Sequence, residues 1–223
     1  LFILIGISCS AELKAQRNGT VYKGNDPAVR YTGRTLVSSD GSVAFDWVGT
    51  YLETRFTGGR LSVKVSETGT SYYNVFVDGK LHKVVKVCGT DTLIHLVSGI
   101  DKRIHSLKIQ KRSEGEFGKT TIHQFVLSGS GRLAEEPAVR TRHIEFIGNS
   151  LTCGYGTDGK HRDEPFLVET ENCNLTFASM VARYYDADYT LIAHSGRGAA
   201  RNYGDSVRVS KVTMKDRMLN TFD

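Results

Sequence analysis

Between Asp26 and Leu133 apolar and polar side chains alternate with a period of two, and a few residues later that alternation stops. The runs are SVAFDWV, YLETRF, RLSVKVSE, YYNVFVD, KLHKVVKV, TLIHLV, HSLKIQKR and TIHQFVLS, rich in Val, Ile, Phe and Tyr and separated by Gly, Asp or Ser clusters. A period of two puts alternate side chains on opposite faces of a pleated strand, so these runs read as half-buried strands. Asp78-Gly79 between two of them marks a two-residue hairpin, whose turn positions both need positive φ. No helical period interrupts the series. Short strands at this spacing predict an all-β sandwich or jelly roll over residues 24–135.

From residue 140 on the pattern is different. HIEFIG (143–148) and DYTLIAHS (188–195) read as buried strands. Between them NLTFASMVARYYDA, Asn174 to Ala187, sets Leu175, Ala178, Val181, Ala182 and Tyr185 on one helical face. Strand, helix, strand is a βαβ unit, whose strands should lie parallel. A glycine-rich loop, GRGAARNYGD, and an amphipathic TMKDRMLNTFD (213–223) follow. Two parallel strands with two helices cannot cover both faces of an open sheet. The expectation is therefore a two-domain chain: the sandwich, then the first part of an α/β domain over 140–223, incomplete here.

Hydrophobic content of 39% with 24% charged residues places the chain among ordinary packed proteins, neither disordered nor membrane-embedded. The net charge of +5 is dispersed, and its densest stretch, Asp101–Arg112, alternates with apolar residues as a solvated strand face does. Nucleic-acid binding would call for clustered Arg and Lys with stacking aromatics, so that partner is excluded. The first residues, LFILIGISCSA, form an apolar run of signal-segment length, too short to span a bilayer and lacking an initial Met. Residues 1–16 are read as a signal or lipoprotein-type segment, with cleavage near Ala11 and lipidation at Cys9 both left open. Either implies export: a secreted, periplasmic or outer-surface bacterial protein. The remaining cysteines, Cys88, Cys153 and Cys173, have no metal-ligand spacing. Cys153 and Cys173 alone share a half, and their pairing is left open.

The stretch Ile144–Gly156, IEFIGNSLTCGYG, carries the chemistry. Ser150 stands at the carboxyl end of the first parallel strand, where α/β sheets place their sites. It is either a helix cap or a nucleophile, and spacing alone leaves both roles open. Gly148 and Gly154 would let the backbone present the hydroxyl and its own N–H. The loop Gly196-Arg197-Gly198 follows the next strand and so faces the same crevice, with Gly198 N–H as a second oxyanion donor. The G-x-S-x-G elbow of lipases is absent.

IEFIGNSLTCGYG resembles the first block of the SGNH/GDSL hydrolases, and LIAHSGRGAARNYG resembles their second. A β-sandwich running straight into such a block is similar to the second family of carbohydrate esterases, bacterial enzymes that remove acetyl groups from plant polysaccharides. The resemblance implies a flavodoxin-like SGNH layer, Ser150 as nucleophile and first oxyanion donor, Gly198 as second donor, and no cofactor or metal. It also implies an asparagine donor and a histidine base from blocks that lie beyond Asp223, so the chain by itself is expected to be inactive. The implied partner is an acetylated plant polysaccharide or oligosaccharide. Asn149 departs from the aspartate usual in the superfamily; an amide oxygen can replace a carboxylate if its task is to accept N–H bonds.

Tyr155, Arg197, Arg201 and Tyr203 are candidates to line a sugar site. His194, at a strand end, reads as locally hydrogen-bonded and His143 as structural. Trp47 reads as core. Glu169 and Glu171 read as acids ahead of a helix N-terminus. Two rival functions stay open: a carbohydrate-binding protein with a vestigial hydrolase half, and a lipase or thioesterase on the same scaffold.

Overall fold

A computed structural model describes residues 19–135 and 138–219. The first half is one antiparallel sheet: β1 (Thr20–Lys23), β2 (Val29–Thr32), β3 (Leu36–Val37), β4 (Val43–Phe45), β5 (Tyr51–Val77), β6 (Lys80–Lys111) and β7 (Thr120–Ser128). The separate short runs read from the sequence join, within β5 and β6, into two long bent strands. Glycine and polar clusters between the runs mark register shifts, not chain breaks. Along β5 the partners change: Tyr51–Thr54 pairs with β2, Arg60–Glu67 with β7, and Tyr73–Val77 with both ends of β6. Because one strand serves several neighbours in turn, the sheet curls over a single core that includes Phe45, Phe56, Leu61, Val75, Phe125 and Leu127. Among the described residues of this half the only helical segment is the turn Gly115–Phe117.

Asp78 and Gly79 take φ of 50° and 76°, the paired positive values of a type I′ turn. No atom lies within 4 Å of a Cβ built on Gly79, so a substitution there meets only backbone strain. Gly79→Ala should therefore cost about 1 kcal/mol, measured by urea unfolding.

In the second half β8 (His143–Gly148) and β9 (Asp188–Ala193) pair in parallel, His143 opposite Asp188 and Gly148 opposite Ala193. Three short helices accompany them: α1 (Ser150–Cys153), α2 (Phe177–Tyr184) and α3 (Met214–Leu219). The crossover helix α2 is shorter than the periodicity suggests. A 3-10 turn at Cys173–Leu175 and the extended backbone of Thr176 delay its start, and Asp186 at φ 47° lies just past its end. Its buried face is also narrower than expected: Ala178, Ser179 and Ala182 are buried, whereas Leu175, Val181 and Tyr185 are exposed. Small side chains let the helix lie close on β9, and that close approach leaves the wider flanks outside the contact. The C-terminal part of the expected amphipathic stretch, 220–223, and the segment 1–16 with Cys9 lie outside the described residues. Among the described residues no helix is long and apolar enough to cross a membrane.

The two halves share a second core. Val48 and Tyr51, from the β half, pack with Cys153, Cys173, Ala178, Tyr189 and Leu191. Both cysteines are buried and free, so the pairing left open is not formed. Burial instead keeps them as neutral thiols, each donating a weak hydrogen bond, with the Cys173 thiol pushed up to about 12. Lys108 crosses the boundary with its ammonium 3.7 Å from the Tyr51 ring centroid and 5.1 Å from that of Tyr189. Around this core Asp188, at the start of β9, accepts hydrogen bonds from Tyr51 (2.7 Å), Arg30 (2.7 Å) and Arg140 (2.8 Å).

Candidate active site

Strand β8 ends at Gly148 and the chain turns at once into α1. Asn149 is its N-cap: the amide oxygen accepts Leu151 N–H at 3.1 Å, while the Asn149 carbonyl accepts Thr152 and Cys153 N–H. An amide oxygen is thus enough to order this turn. The cap is Asn149, so Ser150 is free of that duty. Ser150 N–H is also the one first-turn donor that Asn149 does not serve. The flanking glycines have steric causes. A Cβ on Gly148 would overlap the Thr152 hydroxyl, and Gly154 sits at φ 83° as the left-handed C-cap.

The loop after β9 comes to the same place. Ser150, Asn149 and Tyr155 line a cavity of about 570 Å³ together with Ser195, Gly196, Arg197, Gly198, Arg201 and Tyr203. Ser150, Gly198 and the four sugar-site candidates Tyr155, Arg197, Arg201 and Tyr203 therefore meet at one opening. Gly198 is fixed by close approach: a Cβ there would overlap the Arg201 carbonyl oxygen. Its N–H donates to Asn202 Oδ1 at 3.2 Å and its carbonyl accepts Met214 N–H at 3.0 Å. Tyr155 lies flat on Phe166 with centroids 3.6 Å apart, so Phe166 covers one face of its ring. Tyr203 is 93% exposed and carries the most accessible aromatic surface at the opening.

Other residues of the sequence reading fall elsewhere. His194 does not line this cavity. Its Nε2 meets Glu116 at 2.9 Å, its Nδ1 meets the Ser195 carbonyl at 2.9 Å, and it faces a separate small cavity with Asp46 and Trp47. Among the described residues no histidine lines the cavity of Ser150. His143 bonds Thr190 at 2.9 Å, a structural contact, and Trp47 is buried. Neither Glu169 nor Glu171 lies at the start of α2, which begins only at Phe177; Glu169 sits instead in the 3-10 turn Val168–Thr170. Glu169 is exposed and accepts from Tyr72, whereas Glu171 is fully buried beneath the site. Sequence reasoning missed Asn202, Phe166 and Glu114. Asn202 lies in the glycine-rich loop and is legible there as a turn residue; nothing local marks the other two.

Comparison with known proteins gives a consistent pattern. The family model "Carbohydrate esterase 2 N-terminal" matches residues 31–137. The chain is 34% identical over 180 residues to the cellulase/esterase CelE of Acetivibrio thermocellus, a match covering 81% of this chain and 22% of CelE. It is 31% identical to an acetylxylan esterase / glucomannan deacetylase of Cellvibrio japonicus, covering 86% of this chain and 54% of that protein. In three dimensions it is similar to a family two carbohydrate esterase from Clostridium thermocellum in complex with cellohexaose. That superposition has a TM-score of 0.80 at 33% identity and covers 85% of this chain and 57% of the other. The chain thus spans about half the length of the Cellvibrio relative and of the Clostridium structure.

Proposed function

This chain belongs to carbohydrate esterase family 2, and on that premise we propose that its protein is an exported serine esterase that removes O-acetyl groups from hemicellulose or its oligosaccharides. The observation that carries the reading is the convergence of Ser150 with the Gly196–Gly198 loop on one open cavity. Within it the β half is a jelly roll leading into an SGNH-type layer, and the signal-type segment 1–16 directs export.

Ser150 Oγ attacks the acetyl carbonyl and its proton passes to a base that the described lining of the cavity does not supply. The oxyanion that forms is held by Ser150 N–H and Gly198 N–H, the latter exchanging Asn202 Oδ1 for the stronger negative charge. Arg197, Arg201, Tyr155 and Tyr203 contact the sugar, with the open ring of Tyr203 stacking on a pyranose face. No step requires a metal or organic cofactor.

Measuring acetate release from acetylated xylan and glucomannan, beside 4-nitrophenyl acetate and 4-nitrophenyl dodecanoate, tests the reading on the full-length protein. The expected result is acetate release with the dodecanoate a poor substrate. Faster dodecanoate hydrolysis would favour the lipase reading, and polysaccharide binding without hydrolysis the vestigial one. Gly198→Ala should lower kcat by roughly 10²–10³, the cost of one oxyanion donor, because the Arg201 carbonyl forces the loop to move.

A further inference from the structure

Directly beneath the loop that starts at Ser195 lie two buried carboxyl groups that the proposed chemistry does not use. Glu114 comes from the β half, between β6 and the Gly115–Phe117 turn, and Glu171 from the segment before α2; they are 1% and 0% exposed. Glu114 Oε2 accepts Ser195 N–H at 2.7 Å and the Cys153 thiol, at the end of α1, at 3.7 Å. Glu171 Oε2 accepts Glu114 N–H at 2.8 Å, which ties the second acid to the first. Its other oxygen, Oε1, is buried and meets no donor among the described residues.

Two buried carboxylates side by side cannot both ionise cheaply, and an orphaned buried oxygen is costly. One proton shared between the two side chains resolves both problems, since it gives the pair an O–H donor. We propose that Glu114 and Glu171 share a single proton and, as one hydrogen-bonded acid pair, hold the Ser195–Gly198 loop against the cavity lined by Ser150. Both are positioning residues and neither touches substrate. The inference rests on the esterase reading only where it concerns turnover; the shared proton stands apart from it.

The surroundings agree. Burial, and then the charge of Glu114, push the Glu171 carboxyl up to about 8. The groups facing the pair are Lys111, whose ammonium burial lowers to about 8, the Cys153 and Cys173 thiols, which burial keeps neutral, and His194, with Nδ1 3.6 Å from Glu114. Arg112 donates to the Glu171 carbonyl at 2.8 Å and holds the backbone of that segment from the β side. A folded-state pKa above the usual 4.5 means that the folded protein retains a proton the unfolded chain gives up. The pair's contribution is therefore complete below about 4.5 and is lost as pH rises through about 8.

Glu171→Gln separates this from a merely structural role, because an amide donates as the protonated acid does but does not titrate. Melting temperature is followed from pH 4.5 to 9 for the wild type, Glu171→Gln and Glu114→Gln, with esterase turnover of the full-length proteins alongside. The expected result is a wild-type melting temperature that falls relative to Glu171→Gln by several degrees as pH rises through 8. Its kcat should fall over the same range with KM little changed, and both glutamine variants should keep kcat at high pH. A melting difference constant across the range would overturn the pair, as would a stoichiometric metal ion in the purified protein that Glu171→Gln loses. A pH-dependent melting difference without ester hydrolysis would uphold the pair and refute the esterase reading, so the two fail separately.

Discussion

Replacing Ser150 with alanine should abolish acetyl-ester hydrolysis while leaving the fold intact. Loss of a triad-type nucleophile typically lowers kcat on the order of 10⁶-fold. What makes the test clean is the division of labour at the start of α1. Asn149 provides the cap through its side-chain oxygen, and Gly154 N–H closes the turn on the Ser150 carbonyl, which alanine retains. Alanine is moreover a better helix former than serine. The melting temperature of Ser150→Ala should therefore match that of the wild type to within a degree or two, while 4-nitrophenyl acetate turnover disappears. A variant that keeps a tenth of its turnover would show that Ser150 is a structural residue. The converse variant, Asn149→Ala, should lose about 1 kcal/mol of stability through the missing cap.

The second large effect is expected at Asp188, far from the cavity opening. Its carboxylate joins three segments of the β half and linker to β9: Arg30 on β2, Tyr51 on β5 and Arg140 ahead of β8. Glu53 lies against the same two arginines, 3.3 Å from Arg140 and in contact with Arg30. Asp188→Ala would leave the buried Tyr51 hydroxyl without its acceptor, Arg30 with Glu53 alone, and Arg140 with Glu53 and the exposed Asp186. Removing one member of a buried charge network costs about 3–5 kcal/mol, and the surviving Glu53 places this case near the lower end. Burial raises the Asp188 pKa, but hydrogen bonds from Arg30, Tyr51 and Arg140 outweigh it and hold the carboxyl at about 2. A depressed carboxyl stabilises the fold above its ordinary value of 3.8, and that contribution is lost as pH falls through about 2. Chemical denaturation at pH 7 and at pH 2.5 should thus show a smaller gap between wild type and Asp188→Ala at the lower pH. An equal gap at both would mean that the carboxylate acts by packing alone.

The predictions on Ser150, Asn149 and Gly198 concern residues that the chain itself marks. The period-two alternation to Leu133 and its replacement by a strand–helix–strand pattern were legible because side-chain periodicity is a local property of the backbone. The Asp78-Gly79 turn was legible for the same reason, since two adjacent residues suffice to define it. Ser150 and Gly198 stood out because small residues at a strand end are unusual enough to need a cause. The reach of the helix was misjudged at Leu175, Val181 and Tyr185, because an apolar pattern says which face can be buried, not how much of it a two-stranded sheet touches.

Sequence by itself thus determined the strand periods, the hairpin, the βαβ unit and the two glycine-flanked blocks, all of which depend on neighbours along the chain. Only the tertiary structure decided that the runs within β5 and β6 join into long bent strands, because pairing partners are set across the sheet. It alone decided that Asn149, not Ser150, caps α1, and that Cys153 and Cys173 stay apart as thiols. It alone brought Glu114 to Glu171 and Arg30 to Asp188, 57 and 158 residues apart in the chain. Such pairs leave no local signal: a buried acid looks like any surface acid until the fold removes its water and supplies its partner.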